Sequence, residues 1–269
     1  YTTAHTLSLH DALPISYFHP IRSPNQDLDM NCSYHDASKM IDHALLMPTL
    51  TQDELEAGCR MAAAYEVASV CIMPYYVPRC AELLEGSGVL PSTVIGFPHG
   101  GQATSTKIAE SEKAIADGAI ELDMVINISA ALSGQWQYIT REIDEIVSLA
   151  HANQRKVKVI FENCYLGDDQ KQRLCEICCE LKADWIKTST GFGTSGATMP
   201  DLELMLAKRT LPTQVKAAGG VRDLETLLKV RDMGVSRVGA SATAAILDPA
   251  REHWDLEPVQ ANGDDKPTG

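Results

Sequence analysis

From Met40 onward the chain alternates short apolar runs with amphipathic stretches, and no other feature restricts its fold as much. The strand candidates span 40–46, 68–73, 93–97, 120–126, 157–162, 185–188, 214–218 and 237–240. Several are unbroken apolar runs, as expected of parallel strands covered on both faces. Helical spacing fills the gaps: 104–117 carries Ile108, Ser111, Ala114 and Ile115, and 136–151 carries Ile139, Ile143, Ile146, Val147 and Ala150. The stretches 168–181 and 201–208 open on acidic residues, which suit helix N-termini. Gly118 and Gly234 stand where helices should end. Eight strands alternating with helices predict one α/β domain, a (β/α)8 TIM barrel over 40–257, with its site at the C-terminal ends of the strands.

The 269 residues suffice for one such core. The formal net charge is −13 with no basic cluster, which argues against nucleic acid and anionic membranes as partners. The same acidity repels an anionic substrate at long range, so any phosphate site must be local. There is no run of 18 apolar residues, so no transmembrane helix is expected. The first residues also lack the basic-then-apolar order of a secretory leader. Eight cysteines in a chain too large to need staples read as reduced thiols of a cytoplasmic protein. The segment from His5 to Ser16 has no clear periodicity and resembles a translated sequencing adaptor. Residues 1–16 are therefore set aside as a non-native leader, 17–39 as an N-terminal extension, and 258–269, rich in Pro, Gly, Asn and Asp, as a disordered tail.

Two lysines are unusually placed. Lys187 precedes Thr188-Ser189-Thr190-Gly191, and Lys216 precedes Ala217-Ala218-Gly219-Gly220. Each lies inside or at the end of an apolar strand, where an ammonium is costly to bury unless paired or neutralised. About one βα repeat separates them, so they belong on neighbouring strands, whose backbones run about 5 Å apart. Like charge and desolvation then both lower the pKa of one lysine and expose an amine able to form Schiff bases with aldehydes. A single lysine could instead snorkel to solvent from a strand end; the pair, each followed by glycine, favours chemistry. Asp123, in the apolar run Glu121-Leu122-Asp123-Met124-Val125-Ile126-Asn127, needs a buried partner, and a lysine in the barrel mouth would serve. It could steer a water for proton transfer or complete a purely structural ion pair.

Six blocks occur in order between 40 and about 247: Ile41-Asp42-His43, Ser69-Val70-Cys71, Val94-Ile95-Gly96-Phe97-Pro98, Asp123-Met124-Val125-Ile126-Asn127, Lys187-Thr188-Ser189-Thr190-Gly191 and Val215-Lys216-Ala217-Ala218-Gly219-Gly220-Val221-Arg222. Together they resemble the deoxyribose-phosphate aldolase family; the two lysine blocks are specific as a pair and not singly. The resemblance implies reversible cleavage of 2-deoxy-D-ribose 5-phosphate to acetaldehyde and D-glyceraldehyde 3-phosphate, within deoxyribonucleotide catabolism, with no metal or organic cofactor. It implies that Lys187 forms the Schiff base, that Lys216 perturbs its pKa and shuttles protons, and that Asp123 transfers protons through water. It also implies that Asp42 contacts the substrate hydroxyls and that Cys71, Thr190 and Gly191 face the substrate. A Cys71 thiol beside an ammonium would be open to unsaturated aldehydes, unless it is an inert core cysteine. Ala44, Met47 and Phe192 stand where family members often or sometimes carry Thr or Lys, which bears on phosphate affinity and acceptor choice. The partners implied are small-molecule aldehydes and a sugar phosphate; a homodimer is compatible with the sequence.

Gly219-Gly220-Val221-Arg222 follows the seventh strand, and Gly239-Ala240-Ser241 ends the eighth. Barrels often bind phosphate between these two loops, where glycines admit backbone N–H groups and Ser241 can donate. Either glycine group alone could simply make a tight turn. The run from Gly191 to Gly196 fits a dinucleotide fingerprint, but Val215-Lys216 stand where that motif expects an acidic residue. Cys175, Cys178 and Cys179 lack a partner at zinc-ligand spacing and read as core thiols. His43, His99 and Glu162 sit near strand ends without an assigned role, Glu162 facing a strand neighbour such as Lys158. Three rivals remain: a Schiff-base barrel aldolase with another acceptor, a catalytically inactive sugar-phosphate-binding paralogue, and a metal-dependent enzyme.

Overall fold

In the computed structural model, which describes residues 32–259, eight parallel strands pair in sequence order and close into a barrel. They are β1 Ile41–Leu45, β2 Ser69–Ile72, β3 Leu90–Ile95, β4 Glu121–Val125, β5 Lys156–Ile160, β6 Trp185–Lys187, β7 Gln214–Ala218 and β8 Arg237–Ala240. The helices are α1 Tyr34–Ser38, α2 Gln52–Ala64, α3 Val77–Leu84, α4 Thr104–Ala116, α5 Ile128–Leu132, α6 Trp136–Ala152, α7 Asp168–Glu180, α8 Met199–Lys208, α9 Leu224–Asp232 and α10 Thr243–His253. The expected alternation is present.

The differences have local causes. β3 starts earlier than expected, Leu90 pairing with Ser69 of β2, and ends earlier because Gly96 takes φ 63 and turns the chain out of the sheet. α8 starts ahead of Asp201 because Thr198 caps it, its side chain accepting from the Asp201 N–H. α2 was not marked by the spacing used above, yet it carries a capping box in which Thr51 and Glu54 each satisfy the other's backbone N–H. Gly118 and Gly234 follow the last turns of α4 and α9 with φ 106 and 105, as helix ends of this kind require. The adaptor-like leader, the extension up to residue 31 and the tail from residue 260 lie outside the described residues. The end of the extension is folded: α1 packs on α10, and the Tyr34 hydroxyl donates to the Tyr65 carbonyl at 3.0 Å.

The period of two along each strand sorts residues into two environments. Leu122, Met124, Val157, Val159, Ile186, Val215, Ala217 and Val238 join the buried apolar cluster that includes Leu55, Ile139, Ile143, Leu174, Leu227 and Ile246 of the helices. Each such side chain contributes about 1.5–3 kcal/mol on burial. The alternate positions, Glu121, Asp123, Lys158, Lys187, Lys216 and Arg237, are also buried but fill the barrel interior with charge. Behind β4 a further buried pair fixes the strand's end. Lys107 Nζ donates to Glu142 Oε1 at 2.8 Å and to the Val125 carbonyl at 2.7 Å, and Glu142 Oε2 accepts from the Asn127 N–H at 3.0 Å.

Candidate active site

Lys187 and Lys216 are paired across β6 and β7, level in the sheet register. Their Nζ atoms converge on one oxygen: Asp123 Oδ2 lies 2.7 Å from Lys187 and 2.8 Å from Lys216. The other oxygen, Oδ1, is 2.8 Å from Lys158 Nζ, directly opposite Asp123 in the β4–β5 register. Lys216 also reaches Asp42 Oδ2 at 2.5 Å. Asp42 Oδ1 accepts from the Ser69 hydroxyl at 2.7 Å and from Arg237 at 2.5 Å. Glu121 lies between Lys158, at 2.5 Å, and Arg237, at 3.1 Å. The Arg237 guanidinium stacks over the Trp185 ring at 4.8 Å.

Charge balance follows from these pairs. Among the described residues, the interior network joins three carboxylates (Asp42, Glu121, Asp123) to Lys158, Lys216 and Arg237, with Lys187 as a fourth base. A fourth cation would have no compensating charge in a closed, low-dielectric interior. Burial accordingly pulls the Lys187 amine below its ordinary value, Lys216 adds to the pull, and the attraction of Asp123 does not cancel it. For Lys216 burial acts in the same downward direction, but Asp123 and Asp42 outweigh it and hold the ammonium above the usual lysine range. Asp123 is held well below the carboxylate range, since burial, which would raise it, is overcome by Lys158, Lys187 and Lys216. The neutral amine is thus favoured at Lys187 and the ammonium at Lys216.

The sequence reasoning named Lys187, Lys216, Asp123 and Asp42, and the fold brings all four together. It missed Glu121, Lys158 and Arg237. A signal existed: Glu121 and Asp123 are two apart in one strand and so share a face. Glu162 does not face Lys158, the neighbour that strand periodicity suggests for it. Glu162 leaves the strand in a left-handed conformation and binds Thr190, while Lys158 points inward to Asp123 and Glu121.

Above the network a cavity of about 290 Å³ opens at the C-terminal ends of the strands. Lys187 and Lys216 form its floor together with Asp42 and Cys71, and Thr190, Gly191, Gly219, Gly220, Arg222, Gly239 and Ser241 line it. Asp123 is fully buried and is not part of the lining. Ala44, Met47 and Phe192 do line it, and Phe192 packs edge-on against Phe97 at 5.3 Å. His43 is buried away from the cavity, its Nδ1 paired with Thr243 Oγ1 at 2.9 Å, and burial pushes it down to about 4. His99 is exposed. Gly196 is explained by packing: a Cβ there would lie 2.7 Å from the Gly219 carbonyl carbon. Cys175 and Cys178 are buried thiols, and the half-buried Cys179 accepts from the Thr210 N–H at 3.2 Å.

Cys71 stands at the cavity floor, and of the two readings open for its thiol the inert one is favoured. Burial and the Asp123 charge raise the thiol and outweigh the nearby lysines. In an iodoacetamide time course near pH 7, the partly exposed Cys164 and Cys179 are expected to be alkylated well before Cys71. Peptide mass spectrometry reads the order, and early labelling of Cys71 would contradict this account.

A model of the DeoC/LacD family aldolases matches residues 37–247. The chain belongs to that aldolase family. It is 61% identical to the deoxyribose-phosphate aldolase of Rhodopirellula baltica over 227 residues, covering 84% of this chain and 94% of the relative. It is 44% identical to that of Thermococcus gammatolerans over 218 residues, covering 80% and 97%. Among solved structures of the family, the deoxyribose phosphate aldolase of Aeropyrum pernix, described as a tetramer, superposes with a TM-score of 0.75 at 30% identity, covering 80% of this chain and 91% of that one. The aldolase QR15 does so at 0.77 and 36%, covering 82% and 99%.

Proposed function

We propose that the protein cleaves 2-deoxy-D-ribose 5-phosphate reversibly to acetaldehyde and D-glyceraldehyde 3-phosphate through a Schiff base on Lys187. One observation carries the reading: a buried lysine, left without a compensating charge, shares a carboxylate oxygen with a charged lysine at the floor of an open cavity. The neutral Lys187 amine attacks the C1 aldehyde of the open-chain sugar. The resulting carbinolamine loses water, its hydroxyl taking a proton from the Lys216 ammonium, and leaves an iminium. Lys216, neutral after that donation, takes the C3 hydroxyl proton, directly or through a bridging water; the C2–C3 bond breaks, and its electron pair moves into the iminium to give an enamine. Glyceraldehyde 3-phosphate departs. Protonation of the enamine at C2 and addition of water release acetaldehyde and restore the amine. Asp123, outside the lining, acts through Lys216 or a bridging water by accepting and returning protons. Asp42, with Lys216, is the candidate for the sugar hydroxyls.

The phosphate fits the wall made by Gly219, Gly220, Arg222, Gly239 and Ser241. The positive φ of Gly219 and Gly220, 76 and 97, supports N–H groups turned toward an anion. Gly239 and Ser241 lie just ahead of α10, whose N-terminus adds a favourable dipole. A local cradle of this kind offsets the acidic surface. The buried thiols Cys175 and Cys178 fit a reducing cytoplasm. No helix among the described residues is long and apolar enough to cross a membrane.

The test is direct. Purified protein, incubated with deoxyribose 5-phosphate in the presence of a chelator, is expected to release both aldehydes in equal amounts, read by coupled reduction of each product. Schiff-base trapping with acetaldehyde but no cleavage of the phosphate ester would instead indicate another acceptor, for which Met47 and Phe192 in the cavity wall provide apolar surface.

A further inference from the structure

Glu162 follows β5 with φ 59 and ψ 61, a left-handed conformation that is unfavourable for a non-glycine residue. That turn carries its side chain beneath the loop between β6 and α8, where the residue is 2% exposed. Its carboxylate accepts from the Thr190 N–H at 3.2 and 3.3 Å and from the Thr190 hydroxyl. The hydroxyl in turn accepts from the Phe192 N–H at 3.0 Å. Gly193 passes so close that a Cβ there would lie 3.0 Å from Glu162 Cδ and 2.7 Å from Cys164 Sγ. The far end of the loop is held by backbone alone, the Ala197 N–H donating to the Ala218 and Gly219 carbonyls at 3.0 and 3.1 Å. Among the described residues Glu162 forms no ion pair, so this buried carboxylate is engaged by the loop.

We propose that Glu162 is a positioning residue for the phosphate end of the substrate. By clamping Thr190 it sets the Thr190–Gly191 backbone at a fixed height opposite the Gly219–Gly220 wall, so that both sides of the cradle meet the phosphate at once. The inference rests on the sugar-phosphate reading above. Lys187 does not depend on the clamp in the same way, because it lies within β6, paired with Ile160 on one side and Lys216 on the other. Loosening Glu162 therefore weakens the hold on phosphate more than the chemistry at the amine. Fixed donors keep their value only while their geometry is held by supporting residues.

The experiment compares the parent, Glu162→Gln and Gly193→Ala on deoxyribose 5-phosphate and on unphosphorylated 2-deoxyribose. In Glu162→Gln an amide N–H replaces one of the acceptors that hold Thr190, while the side-chain shape is kept. In Gly193→Ala the added Cβ pushes the loop away from an intact Glu162. Each variant is expected to raise KM for the phosphate ester about tenfold while kcat falls less than about threefold. Each is expected to lower kcat/KM for 2-deoxyribose less than about threefold. Equal losses on the two substrates, or an unchanged KM for the ester, would overturn the proposal. If Glu162→Gln fails to fold by circular dichroism, Gly193→Ala decides with the same outcomes. A parent that does not cleave the ester overturns the sugar-phosphate reading and this proposal with it; a parent that cleaves it, with variants lacking the split, overturns the role of Glu162 alone.

Discussion

Replacing Lys187 by arginine is expected to lower turnover by a factor on the order of 10³ or more and to abolish covalent capture of acetaldehyde. Arginine keeps a cation-capable side chain beside Asp123, so the comparison separates chemistry from simple loss of a charge partner. A guanidinium stays protonated in proteins and cannot supply a free amine. In the parent, acetaldehyde followed by borohydride should leave one ethyl group on the peptide that contains Lys187, located by mass spectrometry. The motivation is the burial of Lys187 without a carboxylate of its own, which favours the neutral amine. Ethylation of Lys216 or Lys158 at normal yield in Lys187→Arg would place the nucleophile elsewhere. Lys187→Ala should behave alike, and melting curves of both variants verify that they fold.

The second large effect concerns protonation. Lys216→Leu removes one of the three cations that balance Asp42, Glu121 and Asp123, and Lys158→Met removes another. In either variant Lys187 becomes the missing counter-ion, and its pKa rises. The reactive form is the neutral amine, so the ascending limb of the pH–rate profile moves to higher pH. A shift of one unit lowers the rate about tenfold at any pH below the limb. The two variants part at high pH. Lys158 is fully buried and is not part of the cavity lining, so Lys158→Met should regain much of its rate once Lys187 is deprotonated. Lys216 lines the cavity and is the proposed proton donor, so Lys216→Leu should stay slow, by about 10²–10⁴-fold, at every pH. Breaking a buried pair costs about 3–5 kcal/mol, so melting temperatures should drop in both. Unchanged pH profiles would refute the charge-balance account.

Periodicity and residue type carried the sequence reading a long way. Apolar runs at regular intervals required a parallel sheet covered by helices, since only that arrangement buries both faces of so many short strands. A lysine in such a run cannot be an ordinary surface residue, and two of them one repeat apart had to be neighbours; the register of Lys187 with Lys216 is what that spacing demands. Among the elements that were marked, the boundaries most poorly read depend on a single turn, such as β3 at Gly96 and α8 at Thr198.

The protonation states were beyond the sequence, because they depend on a sum over residues from six strands. Asp42 comes from β1, Glu121 and Asp123 from β4, Lys158 from β5, and Lys187, Lys216 and Arg237 from β6, β7 and β8. No local pattern states how many carboxylates and bases share one dry interior; closure of the barrel does. The same holds for Cys71, whose burial raises the thiol despite the lysines around it. It holds for Glu162 as well, because a left-handed turn after β5 redirects a side chain that strand periodicity would have aimed at Lys158. Sequence specified which chemistry-bearing residues would reach the barrel mouth. Tertiary structure decided which of them burial and neighbouring charge favour as ions and which as neutral groups, since Coulomb and desolvation energies depend on distances across the barrel and not on positions along the chain.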